Sequence, residues 1–171
     1  MKSPSDGISK ISVTNNVIRN YDKNGMLLRA SESSNGTANT QLTATGNSIS
    51  QPDTAHWETG ILLEAGSLST DNLTMCADVG SNTFSAPATY GAQVIANFWL
   101  SLRFPNAVMK VPNYTGTTFS DRQNYFLNRN TGFTGGTAGF QYTEDGSQNM
   151  QNNGNPGLCQ QPTAPTLPTA P

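Results

Sequence analysis

The sequence predicts an all-β solenoid: short parallel strands wound into about three coils and closed by a C-terminal cap containing one short helix. Two recurring patterns and their spacing carry that expectation. The first pattern is apolar-x-apolar-x-x-Asn-x-apolar. It occurs at Ile11, Val13, Asn16 and Ile18; at Leu42, Ala44, Asn47 and Ile49; and at Ala77, Val79, Asn82 and Phe84. The second is a glycine opening a short apolar run, at Gly25-Met-Leu-Leu, Gly60-Ile-Leu-Leu and, more weakly, Gly91-Ala-Gln-Val. Gly25 to Asn47 and Gly60 to Asn82 both span 22 residues, while Asn16 to Gly25 and Asn82 to Gly91 both span 9. Only Asn47 to Gly60, at 13, departs. One turn is therefore 31 residues, with a four-residue insertion in the middle copy.

Apolar residues two apart place Ile11 and Val13 on one strand face. Their equivalents in the next coil stack about 4.8 Å away. Asn tolerates a left-handed backbone, and its side chain can bond a neighbouring turn. Asn16, Asn47 and Asn82 are expected to form an interior ladder in which each amide bonds the next. Gly25, Gly60 and Gly91 open the second strand of each coil, where a missing Cβ permits a tight bend. Interior positions are expected at Ile11, Val13, Leu28, Leu42, Ile49, Leu63, Val79 and Phe84. A β-sandwich is the competing architecture, but sandwich strands do not usually repeat Asn and Gly at constant offsets. Ser, Thr, Asn and β-branched residues dominate these windows and disfavour an all-helical fold.

After Gly91 the repeat decays. Val94 to Leu102 is strongly apolar, with Phe98 and Trp99 adjacent. Phe104, Tyr114, Phe119, Phe126 and Leu127 supply further bulk to cover the end of the core. Residues 120–130 read as a short helix, with Ser120 as its cap, Asp121 in its first turn and Arg129 in its last. Asp145 to Pro156 is polar and rich in Asn and Gln, and Pro162 to Pro171 reads as an extended linker. The expected division is coils over 1–100, a cap and polar loop region over 101–160, and a Pro/Thr-rich tail over 161–171.

Composition narrows the function classes. Asn (19), Thr (21) and Ser (16) make up about a third of 171 residues, against 9 Lys plus Arg and a net charge of −2. There is no basic footprint for nucleic acid. No run of 18 apolar residues exists to span a membrane. A surface solvated by amides and hydroxyls suits an extracellular protein. Met1-Lys2-Ser3-Pro4 lacks the apolar segment of a signal peptide, so the expectation is an export signal upstream of a fragment. The two cysteines, Cys76 and Cys159, suggest one disulfide in an exported protein and two inert thiols in a cytosolic one.

Asn16-Val-Ile with Gly25-Met-Leu-Leu, and Asn47-Ser-Ile with Gly60-Ile-Leu-Leu, resemble coils of right-handed parallel β-helices of the pectin-lyase-like superfamily. More narrowly, Leu73-Thr-Met-Cys-Ala-Asp-Val-Gly-Ser-Asn-Thr-Phe84 resembles the last coil of large secreted bacterial β-strand-repeat proteins. In that group the Cys-containing coil precedes segments like Leu100-Ser-Leu-Arg-Phe104 and Val111-Pro-Asn-Tyr-Thr-Gly116, then a short helix and a Gly-rich end. The resemblance covers roughly residues 8–140. It implies a right-handed parallel β-helix, with an open first coil that meets further coils or another subunit.

Chemistry is sparse. The only His, His56, lies in the inserted loop with Asp53, Trp57 and Glu58, a local cluster of general base, carboxylates and a sugar-stacking aromatic. The plainer reading is a solvated loop. Arg29 and Glu64 sit at equivalent places in successive coils and suit a cross-strand pair. No ligand spacing for a metal and no phosphate-binding loop is present, and no cofactor is expected. The expected function is a noncatalytic extracellular β-helix segment of a secreted or cell-surface bacterial repeat protein, structural or adhesive. The alternatives are a carbohydrate-active β-helix binding or cleaving polysaccharide near Trp57 and Arg29, and a filament subunit stacking end to end. Expected partners are a glycan or other cell-surface component, or copies meeting through open solenoid ends.

Overall fold

A computed structural model describes residues 8–21, 23–31, 38–50, 59–66, 69–85, 89–90, 93–94, 97–102, 104, 106–133, 139–144 and 150–152. Parallel strands dominate it. The chain runs β1 (Ile8–Thr14), β2 (Val17–Arg19), β3 (Asn24–Ala30), β4 (Ala38–Thr45), β5 (Ser48–Ser50), β6 (Thr59–Ala65), β7 (Leu73–Gly80) and β8 (Thr83–Ser85). A small antiparallel pair follows, β9 (Thr89–Tyr90) and β10 (Gln93–Val94). Then come β11 (Phe98–Leu102), β12 (Ala107–Val111), helix α1 (Phe119–Arg129), β13 (Phe140–Glu144) and β14 (Met150–Asn152).

The sheet order records a winding path. One sheet stacks β1-β4-β7-β12-β14, a second β2-β5-β8, and a third β3-β6-β11-β13. The chain thus visits each sheet in turn and returns to the first one level further on, an arrangement compatible with a β-helix. Registers follow the sequence spacing. Ile11 pairs with Leu42 and Leu42 with Ala77, while Val13, Ala44 and Val79 form the next row. Ile18, Ile49 and Phe84 stack in the second sheet. Met26, Ile61, Phe98 and Phe140 stack in the third.

Alternation decides which residues face inward. Leu42, Ala44, Ile61, Leu63, Val79, Phe98, Leu100 and Met109 are buried, so like residues pack level upon level. The stacked strands do not stop at residue 100. β12, β13 and β14 continue the first and third sheets, and Thr131 bridges Thr83 to extend the second. A fourth level, and with β14 the first strand of a fifth, therefore joins the three that the spacing predicts. The helix hides it, because residues 119–129 lie inside the fourth circuit and stretch its repeat to 48 residues.

The helix begins one residue earlier than expected. Thr118, not Ser120, is its N-cap: its hydroxyl accepts from the Asp121 N–H, and the Asp121 carboxylate accepts from the Thr118 N–H. This reciprocal box satisfies N-terminal donors that Ser120, already inside the first turn, leaves open. Bonds from the Thr118 N–H and hydroxyl and the Thr117 N–H hold the Asp121 carboxyl below the usual range. Phe126 is fully buried and stacks on Phe98 with ring centroids 4.7 Å apart. Tyr114 is buried and Phe104 and Leu127 pack partly on the core, but Phe119 is 46% exposed. Phe119 shares the helical face of Phe126, seven residues on, but stands at the first position of the helix.

Candidate functional site

A ladder of asparagines runs through the described interior. The Asn16 backbone N–H and Nδ2 both donate to Oδ1 of Asn47, each at 3.0 Å. Asn47 repeats this onto Asn82 at 3.0 and 2.9 Å, and Asn82 onto Asn130 at 3.1 and 2.9 Å. Nδ2 of Asn47 also reaches back to the Val13 carbonyl, and Nδ2 of Asn82 to the Ala44 carbonyl. Asn47, Asn82 and Asn130 are buried. Each is a polar group removed from water, and each is bonded both to another rung and to a backbone carbonyl.

Two features of the ladder differ from the sequence reading. The left-handed residue is not the ladder asparagine but the one before it: Asn15 (φ 58°), Gly46 (φ 70°) and Ser81 (φ 56°). That residue makes the corner, which leaves the next side chain pointing inward. The fourth rung, Asn130, was not expected. Its signal was short: Asn130-Thr131 repeats Asn82-Thr83, and both pairs stack in the structure. The helix just before Asn130 masks the spacing.

The repeat glycines also act differently. Gly25 and Gly60 are not among the positive-φ residues. A Cβ on Gly25 would lie 2.7 Å from the Gly60 carbonyl oxygen, and one on Gly60 would lie 2.4 Å from the Asn97 carbonyl oxygen. The next coil's backbone, not a tight bend, demands glycine there. Gly91 lies outside the described residues. The position after Gly60 in the stack is Asn97, since Ile61 pairs with Phe98 and its N–H donates to the Asn97 carbonyl at 2.9 Å.

Of the residues singled out for ligand binding, Asp53, His56, Trp57 and Glu58 lie outside the described residues. Arg29 is described. It pairs with Glu64 in register on β3 and β6, and its Nε donates to the Glu64 carboxylate. Arg29 also borders an apolar cleft of about 130 Å³, lined by Ile11, Val13, Leu28, Leu42 and Met75 among others. A second ion pair joins Arg129 at the end of α1 to Asp78 on β7 and ties the helix to the first sheet. The same guanidinium lies 5.2 Å from the centre of the Tyr125 ring. Burial pushes the Tyr125 phenol up to about 12; the Arg129 charge opposes the rise and that of Asp78 adds to it.

Cys76 is disulfide-bonded, and Cys159, the chain's other cysteine, lies outside the described residues. Among the described residues no group of three His, Cys, Asp or Glu is placed to hold a metal ion. No described helix is long and apolar enough to cross a membrane.

No protein-family model matches the chain, and neither the curated proteins nor the solved structures give a match.

Proposed function

We propose that the chain is the C-terminal part of a right-handed parallel β-helix that serves as a noncatalytic structural or adhesive segment of a secreted or cell-surface protein. The carrying observation is the asparagine ladder, which devotes the buried amides of successive coils to holding those coils in register. The hand follows from a general constraint: crossovers between parallel strands of one sheet are almost always right-handed. Two further points favour export. A surface of hydroxyls and amides carries little charge, and Cys76 sits in a disulfide, which persists in oxidising compartments.

The test combines location and chemistry. In its source cells, the protein is expected outside the cytoplasm with Cys76 oxidised. Incubated with acidic and neutral polysaccharides, it is expected to release no product. A cytoplasmic, fully reduced protein would overturn export. Release of oligosaccharides would make the fold a carrier of catalysis instead.

A further inference from the structure

The two ends of the stack are chemically unlike. At the C-terminal end Asn130 is buried, and its Nδ2 donates to the Phe126 carbonyl of the helix at 2.9 Å. At the N-terminal end Asn16 is exposed. Oδ1 of Asn47 and of Asn82 accepts from the asparagine of the coil before, and Nδ2 donates to the asparagine of the coil after, so the ladder has a direction. Among the described residues Oδ1 of Asn16 receives no donor. Its Nδ2 bonds the Thr14 carbonyl in its own turn, whereas Asn47 and Asn82 reach a carbonyl one coil back.

The apolar interior is unfinished at the same end. Leu42, Ala44 and Ile49 are at most 1% exposed, while their stacking partners Ile11, Val13 and Ile18 are only partly buried. The cleft beside Arg29 opens here, between edge strands β1 and β3. The edges of β1, β2 and β3 all belong to this end, so a row of backbone groups accompanies the apolar surface.

We infer that this N-terminal end is a directional docking end for one further parallel β-coil of the same pattern, whose turn asparagine donates its backbone N–H and side-chain amide to Oδ1 of Asn16. The docking coil adds a strand to β1, β2 and β3, offers a carbonyl to Nδ2 of Asn16, and covers Ile11, Val13 and Ile18 with its own apolar pair. A second copy does not fit. Head to head, two Asn16 acceptors would meet. Head to tail, the incoming amide would be Asn130, which is buried and bonded to the helix. The inference rests on the stacked-coil reading and adds which end grows and by what chemistry.

The experiment extends the whole chain with a second copy of residues 38–72 placed directly ahead of Gly7. That length sets the copied Asn47 the same 35 residues before Asn16 as Asn47 stands before Asn82. Amide hydrogen exchange in residues 8–19 is expected to slow by about tenfold or more, with the added coil itself protected. Replacing only the copied asparagine, Asn47→Ala in the extension, is expected to remove most of that gain. A fast-exchanging added coil, or equal protection with alanine, would overturn the proposal. So would slowing of residues 8–19 with rising concentration of the unextended chain, which would give the end to a second copy. Protection of β4, β6 and β7 in the unextended chain is the control. Its absence would overturn the stacked-coil reading itself, and this inference with it.

Discussion

Asn82 is a buried rung bonded to an asparagine on either side. It accepts from Asn47 twice and donates to Asn130 twice, and it is fully buried. Asn82→Ala leaves two buried donors of Asn47 without an acceptor. We expect a loss of about 2–4 kcal/mol in denaturant unfolding, since each unsatisfied buried group costs about 1–3 kcal/mol. Asn16→Ala, at the exposed end, should cost clearly less; equal losses would show that the ladder is not what makes Asn82 matter. Gly60→Ala is the steric counterpart. The new Cβ would meet the Asn97 carbonyl at 2.4 Å, a backbone atom that cannot rotate away. The expected loss is about 1–3 kcal/mol, typical of overpacking, and unchanged melting would refute the close approach.

At the scale of elements, α1 is the piece that does not repeat, and it is held by an N-terminal box and a C-terminal ion pair. Tyr125 reports on its seat: its hydroxyl donates to the Pro112 carbonyl at 2.8 Å and its ring packs edge-on against Phe126. The folded chain holds the phenolic proton more tightly than the unfolded chain, where the value is about 10. Its contribution to stability is therefore complete below about pH 10 and is lost as pH rises through about 12. Melting temperature should fall across that window, and Tyr125→Phe should flatten the fall. A Phe variant with the same alkaline profile would place the effect elsewhere.

At the scale of the molecule, stability comes from stacking level on level. Leu63 is fully buried between Leu28 and Leu100 on the strands either side of it. Leu63→Asp puts a charge where neither water nor a partner can reach it, and we expect loss of cooperative melting by circular dichroism. A normal melt would sink the interior assignment. Unfolding need not be uniform along such a stack, because each coil touches only its neighbours. The first coil, with its half-buried Ile11 and Val13, should exchange its amides faster than β6 and β7 in the second and third levels.

The strand rows were legible in the sequence for a simple reason. In a stack, equivalent residues meet the same environment at every level, so a local requirement becomes a period. Ile11, Leu42 and Ala77 align because each must face the same interior row, and Asn16, Asn47 and Asn82 because each must bond the next. Arg29 and Glu64 were paired by the same offset. Where an insertion changes the period, the sequence falls silent. Residues 119–129 hid the fourth rung at Asn130, and the 37 positions separating Gly60 from its true neighbour Asn97 made Gly91 look like the repeat. Spacing alone also could not say why glycine stands at 25 and 60, since the obstructing carbonyl belongs to another coil. The repeating pattern and the inward rows were readable from spacing alone, whereas the direction of the ladder came from its hydrogen bonds. How the stack ends came from the fold alone, because a buried Asn130 and an exposed Asn16 differ in what covers them and not in the residue itself.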